Sequence, residues 1–248
     1  GLYLWDTVGT LLDKVEMQLD YSADGAILVN DLQGKTFALM SSSNWYDCDV
    51  RVYSFDEGTL KELYFYQYKG YKRDNYYLQA ALNGEELFLG FSNYLDIHNW
   101  AEKTLVKTLQ SPMNSTPENG CALTVDGSRA AFFEYESNKV QVISLPDGEE
   151  LGAYKVTKGH NAFGPPLQFS PKGTWLFTSH GQYYQTTVEV REPLTGEVVK
   201  ELTNYSSNGD VMGCLCSPSE ETIIVRCAGV DLICWDVEDE QVKWVQQD

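Results

Sequence analysis

LICWDVEDEQVKWV at residues 232–245 is an alternating apolar strand, a short polar turn and a second strand, and the same shape recurs five more times. The other copies are LYLWDTVGTLLDKV (2–15), VRVYSFDEGTLKEL (50–63), LDIHNWAEKTLVKT (95–108), VQVISLPDGEELGA (140–153) and VEVREPLTGEVVKE (188–201). Their turns, marked at Gly9, Gly58, Glu102, Gly148, Gly196 and Glu240, are spaced by 49, 44, 46, 48 and 44 residues. A fixed period of roughly 40 to 50 residues is the mark of one supersecondary unit repeated side by side, because such a unit cannot bury its apolar face alone.

Between these hairpins stand five copies of another: AILVNDLQGKTFALM (26–40), LQAALNGEELFLGF (78–91), CALTVDGSRAAFFE (121–134), PLQFSPKGTWLFTS (166–179) and GCLCSPSEETIIVR (213–226). Each turn carries Gly, Asn, Asp, Pro or Ser, the residues that supply positive or fixed φ; Asn83-Gly84 and Asp126-Gly127 are the strongest of these signals. The unit therefore has four strands, a to d, and predicts an all-β β-propeller of four-stranded antiparallel blades. A β-sandwich of some 22 strands has no need of equivalent hairpins at equal spacing. The counts predict five complete blades plus a c–d half blade at the N-terminus, with units near 1–17, 18–67, 68–110, 111–156, 157–203 and 204–248. Residues 113–120, rich in Asn, Ser, Thr and Pro, read as an exposed loop within a single domain. Two strands are missing from the first unit, and an open sheet edge is an aggregation hazard. The expectation is a missing segment before Gly1 rather than an unusual closure.

The 248 residues are 43% hydrophobic and 13% aromatic, enough for a buried core, and contain no run of apolar residues long enough to span a bilayer. A formal net charge of −18 repels phosphate backbones, which excludes nucleic acid as a partner. The same field attracts a basic peptide or protein patch, besides conferring solubility. Cys48, Cys121, Cys214, Cys216, Cys227 and Cys234 have no C-x-x-C spacing and read as buried thiols in a reducing, cytoplasmic setting. Sequons at Asn114 and Asn204 are the argument for secretion.

Trp5-Asp6 and Trp235-Asp236 end the third strands of the first and last units, and Gly159-His160 precedes a first strand. In these dipeptides, and in the period, the chain resembles the WD-repeat family. Aligned by the c–d turn, the family's Trp position is held by Trp5, Tyr53, Ile97, Ile143, Arg191 and Trp235, and its Asp position by Asp6, Ser54, His98, Ser144, Glu192 and Asp236. The resemblance implies a His, Ser/Thr and Trp network within each blade, but His160 falls in the blade of Arg191, so no repeat holds the whole set. It also implies a scaffold that binds other proteins through rim loops.

Catalytic motifs are absent from the sequence: there is no G-x-S-x-G, no phosphate-binding Gly-rich loop and no H-E-x-x-H. The three histidines, His98, His160 and His180, fall in different units and read as separate loop or strand-end residues rather than metal ligands. Acidic residues gather in the c–d turns, where solvation accounts for them, and none forms a marked pair for glycoside hydrolysis. No enzyme activity, metal or cofactor is expected. The local anomaly is the segment 66–77, in which Tyr66, Tyr68, Tyr71, Tyr76 and Tyr77 accompany Lys69, Lys72 and Arg73. A second aromatic loop holds Tyr183 and Tyr184. Aromatic and basic side chains are common interface anchors, so both loops are candidate contacts, with packing between blades as the other reading of the tyrosines. The expected function is a protein-binding scaffold; the alternative is a sensory propeller of a larger NACHT-type signalling ATPase.

Overall fold

Short alternating strands joined by tight turns pair with their sequence neighbours, and the computed structural model shows this in six antiparallel sheets. It describes residues 2–5, 10–15, 26–30, 35–42, 48–56, 58–68, 79–91, 94–110, 120–134, 136–156, 167–182, 185–205, 211–227 and 232–246. The first sheet has two strands, β1 (Leu2–Trp5) and β2 (Leu11–Val15). The second is the meander β3 (Ala26–Asn30), β4 (Thr36–Ser42), β5 (Cys48–Asp56) and β6 (Thr59–Tyr68). The third is β7 (Gln79–Asn83), β8 (Glu86–Gly90), β9 (Tyr94–Asn99) and β10 (Thr104–Gln110). The fourth is β11 (Gly120–Leu123), β12 (Arg129–Glu134), β13 (Lys139–Ser144) and β14 (Glu150–Lys155). The fifth is β15 (Gln168–Phe169), β16 (Leu176–Gln182), β17 (Gln185–Arg191) and β18 (Val198–Tyr205). The sixth is β19 (Val211–Cys216), β20 (Thr222–Cys227), β21 (Leu232–Asp236) and β22 (Gln241–Gln246). Among the described residues, five four-stranded sheets and one two-stranded hairpin match the count read from the repeats, and no pairing joins β1–β2 to the sheet that contains Trp235.

Local chemistry repeats with the sheets. In the first turns of the fourth, fifth and sixth sheets, the hydroxyls of Thr124, Ser170 and Ser217 accept from the backbone N–H of Arg129, Trp175 and Thr222 at 3.0, 2.9 and 3.1 Å. A side chain that satisfies the turn's own donor makes the hairpin self-contained.

Neighbouring sheets join by apolar faces. Leu82, Leu87 and Leu89 face Val50, Val52 and Tyr64 of the second sheet, while Phe88 and Ile97, on the other face, meet Cys121, Ala130 and Phe132 of the fourth. Phe133, Val140 and Val142 meet Phe169 and Leu176 of the fifth, and Val188, Val190 and Leu202 meet Ile223, Val225 and Trp235 of the sixth. At the edges, the last strand of one sheet touches the third–fourth turn of the next. Lys107 of β10 donates to Pro146 O and Asp147 O at 3.3 and 2.9 Å, and Lys200 of β18 donates to Glu238 O at 2.7 Å. Asp13 of β2 accepts from the N–H of Leu60 at 2.7 Å, which gives the two-stranded hairpin the same place before the second sheet.

One irregularity recurs in every sheet and corrects the sequence alignment. The third and fourth strands pair with a bulge, after which the partners are Trp5↔Leu11, Tyr53↔Glu62, Ile143↔Glu150, Arg191↔Val198 and Trp235↔Val242. In the third sheet the residue in this place is His98, opposite Leu105, and not Ile97. The left-handed turn residue is correspondingly Lys103 (φ 59°) rather than Glu102, as it is Gly58, Gly148, Gly196 and Glu240 elsewhere. Counted back from Lys103, the interval to His98 equals that in the other complete sheets, so setting the turn at Glu102 displaces the alignment by one residue, and a slip of one residue moves a strand side chain to the opposite face. Ile97 therefore faces the fourth sheet, and His98, placed by the sequence reading at the family's Asp position, faces the second.

The junction of the fourth and fifth sheets tolerates no added bulk at Gly152, where a Cβ would lie 2.1 Å from the backbone oxygen of Leu194. Gly213, on β19, has nothing within 4 Å of the same position. Gly152→Ala is expected to lower stability by about 1 to 3 kcal/mol through overpacking against main chain. Gly213→Ala should stay within about 0.5 kcal/mol of the parent, and urea denaturation of the two variants measures the contrast.

Candidate functional site

At His98, Ile143 and Trp235 the position after the bulge meets the preceding sheet, and its residue type decides what surrounds it there and at Tyr53 and Arg191. Trp235 fills it with an indole, 1% exposed, against Val190 and Leu202, while Ile143 packs on the apolar face of the third sheet. Arg191 makes a polar junction: Nε donates to Thr178 Oγ1 at 3.1 Å, Nη1 donates to Gly196 O at 2.6 Å, and Nη2 pairs with Glu189. Thr178 donates in turn to Glu189 Oε2 at 3.0 Å, so the buried carboxylate and guanidinium are hydrogen-bonded as well as paired. Tyr53 stacks on Phe37 and donates to Glu62 at 3.3 Å, and Glu62 with Asp49 brackets Arg51.

His98 is the most elaborate case. Fully buried, it is held by Tyr64 at Nδ1 (3.0 Å) and by Tyr68 at Nε2 (2.7 Å). Tyr68 also donates to Asp96 Oδ2 at 2.8 Å, and Thr108 donates to Asp96 Oδ1 at 2.6 Å. Burial pushes the His98 imidazole below its ordinary pKa, opposed by the neighbouring Asp96. Burial raises Tyr64 to about 12. His98 stands at the end of strand β9, as a strand-end residue, and is buried there. Tyr66 and Tyr68 end strand β6 instead of opening a contact loop, and follow the other reading, packing between sheets. Both rings turn inward, with Tyr66 and His98 centroids 4.9 Å apart. The signal was available in the alternation of Tyr64, Tyr66 and Tyr68, which puts three phenols on one face of a strand.

Of the remaining sequence candidates, Asp236 accepts from Lys243 at 2.9 Å and from the N–H groups of Glu238 and Asp239; the Lys243 ammonium and these donors hold its carboxyl below the usual range. Trp5 lies in β1, but its side chain is outside the described residues. So are Asp6, Lys69, Tyr71, Lys72, Arg73, Tyr76, Tyr77, His160, Tyr183 and Tyr184. The six cysteines are free thiols, and burial raises the pKa of Cys48, to about 12, and of Cys216, to about 11. Thiols so shifted are poor nucleophiles. Among the described residues no group of three His, Cys, Asp or Glu side chains could hold a metal ion, and no helix is long and apolar enough to cross a membrane.

The surface of the sixth sheet differs from the others. Strands β8 and β12 are buried on both faces, whereas β20 alternates, with Ile223, Val225 and Cys227 buried toward the fifth sheet and Arg226 exposed on the far face. On that far face the register aligns Leu215, Ile224, Cys234 and Trp244 in one row across all four strands. Leu215 is 69% exposed and Trp244 43%. The turns at one end of this sheet carry Glu220, Glu221, Glu238, Asp239 and Glu240. Arg129 donates to Gly173 O at 2.7 Å and Lys172 donates to Ser219 O at 3.2 Å, which sets the first turns of the fourth, fifth and sixth sheets side by side along a common rim.

No family model and no curated protein matches this chain. Among solved structures it is similar to the hydrazine synthase of Kuenenia stuttgartiensis, with 15% identity and a TM-score of 0.49 over 67% of this chain and 47% of that one. The chain spans about half the length of that protein.

The buried ion pair makes a sharp energetic prediction. Arg191→Leu removes the guanidinium paired with Glu189, 3% exposed, and is expected to cost about 3 to 5 kcal/mol. Replacing both with leucine removes the uncompensated charge and should recover most of that loss, read from denaturation midpoints of the single and double variants.

Proposed function

We propose that this chain is a non-catalytic protein-interaction module built as a WD-like β-propeller, and that the far face of its sixth sheet is a contact surface. The observation that carries the reading is the row Leu215, Ile224, Cys234 and Trp244, exposed at Leu215 and Trp244, half-buried at Ile224 and buried at Cys234, opposite a face on which Ile223 and Trp235 are at most 1% exposed. A β-sheet with apolar residues on both faces is made to be covered twice. Aliphatic and indole surface of this kind is what protein interfaces bury at their centres.

Charge selects the occupant. The row adjoins a turn end with five carboxylates in a chain of net charge −18, so a second copy is repelled. A different protein with an apolar strip fringed by lysine or arginine is attracted and oriented by the same field. The dense tyrosine and basic segment through 69–77 supplies a further contact in this reading. The polar junctions at His98 and Arg191 support a structural use for the strongest polar side chains: their hydrogen-bonding groups are spent on one another inside the fold.

Leu215→Glu and Trp244→Ala lie on an exposed face and should leave stability within about 0.5 kcal/mol. Cross-linking followed by affinity capture is expected to recover a partner with the parent chain that both variants lose, with retention falling as salt rises. Retention equal across the three proteins overturns the assignment of this face. Sedimentation of a stable homodimer sensitive to Leu215→Glu identifies a second copy as the occupant and overturns the basic partner.

A further inference from the structure

The hydrogen bonds around His98 admit one arrangement of protons. Asp96 accepts at both oxygens, from Tyr68 and from Thr108, so the single phenol proton of Tyr68 is committed to Asp96. His98 Nε2 must then be the donor to the Tyr68 oxygen. A neutral imidazole protonated at Nε2 has a bare Nδ1, which accepts from Tyr64 at 3.0 Å. The result is a directional chain, Tyr64 to His98 to Tyr68 to Asp96, that crosses from β6 to β9 and ties the second sheet to the third.

We propose that this chain is an acid-sensitive latch between the second and third sheets, closed while His98 is neutral and opened when it takes a proton. A protonated imidazole must donate at Nδ1, so the Tyr64 hydroxyl, in a side chain 2% exposed, loses the acceptor for its own proton. The positive charge would also sit in a fully buried position among Leu82, Leu87 and Leu89. The titratable groups facing this space among the described residues are Tyr64, Tyr66 and Tyr68 of β6, Cys48 of β5, and Asp96 and Tyr94 of β9. Asp96 is the one group of these that favours the cation, and it is already engaged by two donors.

The pH window follows from the direction of the shift. Histidine in the unfolded chain titrates near 6.5, and His98 in the fold titrates below that. As pH falls through 6.5 the unfolded chain takes up the proton first, so the latch contributes fully above 6.5 and is lost as pH falls toward the folded value. Over that interval the unfolding constant rises by about tenfold per pH unit from this one group.

Nitrogen-15 histidine spectra of the whole 248-residue chain test the idea directly. The expected result is one imidazole fixed as the Nε2–H form that stays neutral below the pH at which an exposed histidine takes its proton, with backbone protection factors in β6 and β9 falling more than those in β13 and β17 between pH 7 and pH 5. His98→Gln is expected to be less stable at pH 7.5 and to lose the steep acid dependence. Tyr64→Phe removes the donor to Nδ1 and should raise the titration point of His98 while the chain remains folded. A His98 that carries its proton on Nδ1, titrates near 6.5 like an exposed residue, or loses protection in all sheets together overturns the latch, whether or not the glutamine variant folds.

Discussion

Everything in this structure depends on how one flat sheet can be held against the next at a fixed offset, and a single device does most of that holding. The last two strands of every sheet pair with a bulge, and at His98, Ile143 and Trp235 the residue after it projects onto the sheet before. Bulges increase local twist and redirect one side chain without breaking the ladder. Here the redirected chain is a peg, and the last strand of the preceding sheet reaches back to the turn beside it. The Asp13, Lys107 and Lys200 contacts are three versions of that second attachment.

The peg is conserved in geometry but not in chemistry, being Tyr53, His98, Ile143, Arg191 and Trp235 in successive complete sheets. Each substitution forces its surroundings. A guanidinium at the peg requires Glu189 and the Gly196 carbonyl, an imidazole requires two phenols and Asp96, and an isoleucine requires nothing beyond hydrocarbon. In a stacked array, stability is approximately a sum over neighbouring interfaces. Junctions of such different composition therefore respond to different conditions: the apolar ones to temperature and denaturant, the His98 junction to acid.

Much of this was legible in the sequence. All eleven hairpins stand where the alternation and turn residues put them, because tight turns and period-two strands are local properties. The two-strand first sheet was legible by counting. The identity of the third peg was not read correctly, since the turn was marked at Glu102 and not at Lys103, which placed Ile97 where His98 stands. Aligning the third strands themselves, LYLW, VRVY, LDIH, VQVI, VEVR and LICW, brings Trp5, Tyr53, His98, Ile143, Arg191 and Trp235 into one column. The strand pattern carries the facing information directly, whereas a turn without glycine leaves its left-handed position open by one residue. Tyr66 and Tyr68 were misassigned for a related reason: β6 runs on to Tyr68, and a cluster of aromatic and basic residues resembles a loop until its alternation is weighed.

The far face of the sixth sheet shows what composition alone conceals. GCLCSPSEETIIVR holds six hydrophobic residues against eight in each of the matching hairpins of the third and fourth sheets, and that difference does not announce which of its faces is exposed. The difference lies in burial: β8 and β12, the second strands of the third and fourth sheets, spend both faces on neighbours, while β20 spends one. Since the apolar residues on the free face stand in register across four strands rather than scattered, they form one continuous strip. On the proposed reading, a partner for a continuous strip beside a cluster of carboxylates is matched to it in both respects. Neither hydrophobic nor electrostatic attraction alone would fix the orientation in which that partner docks.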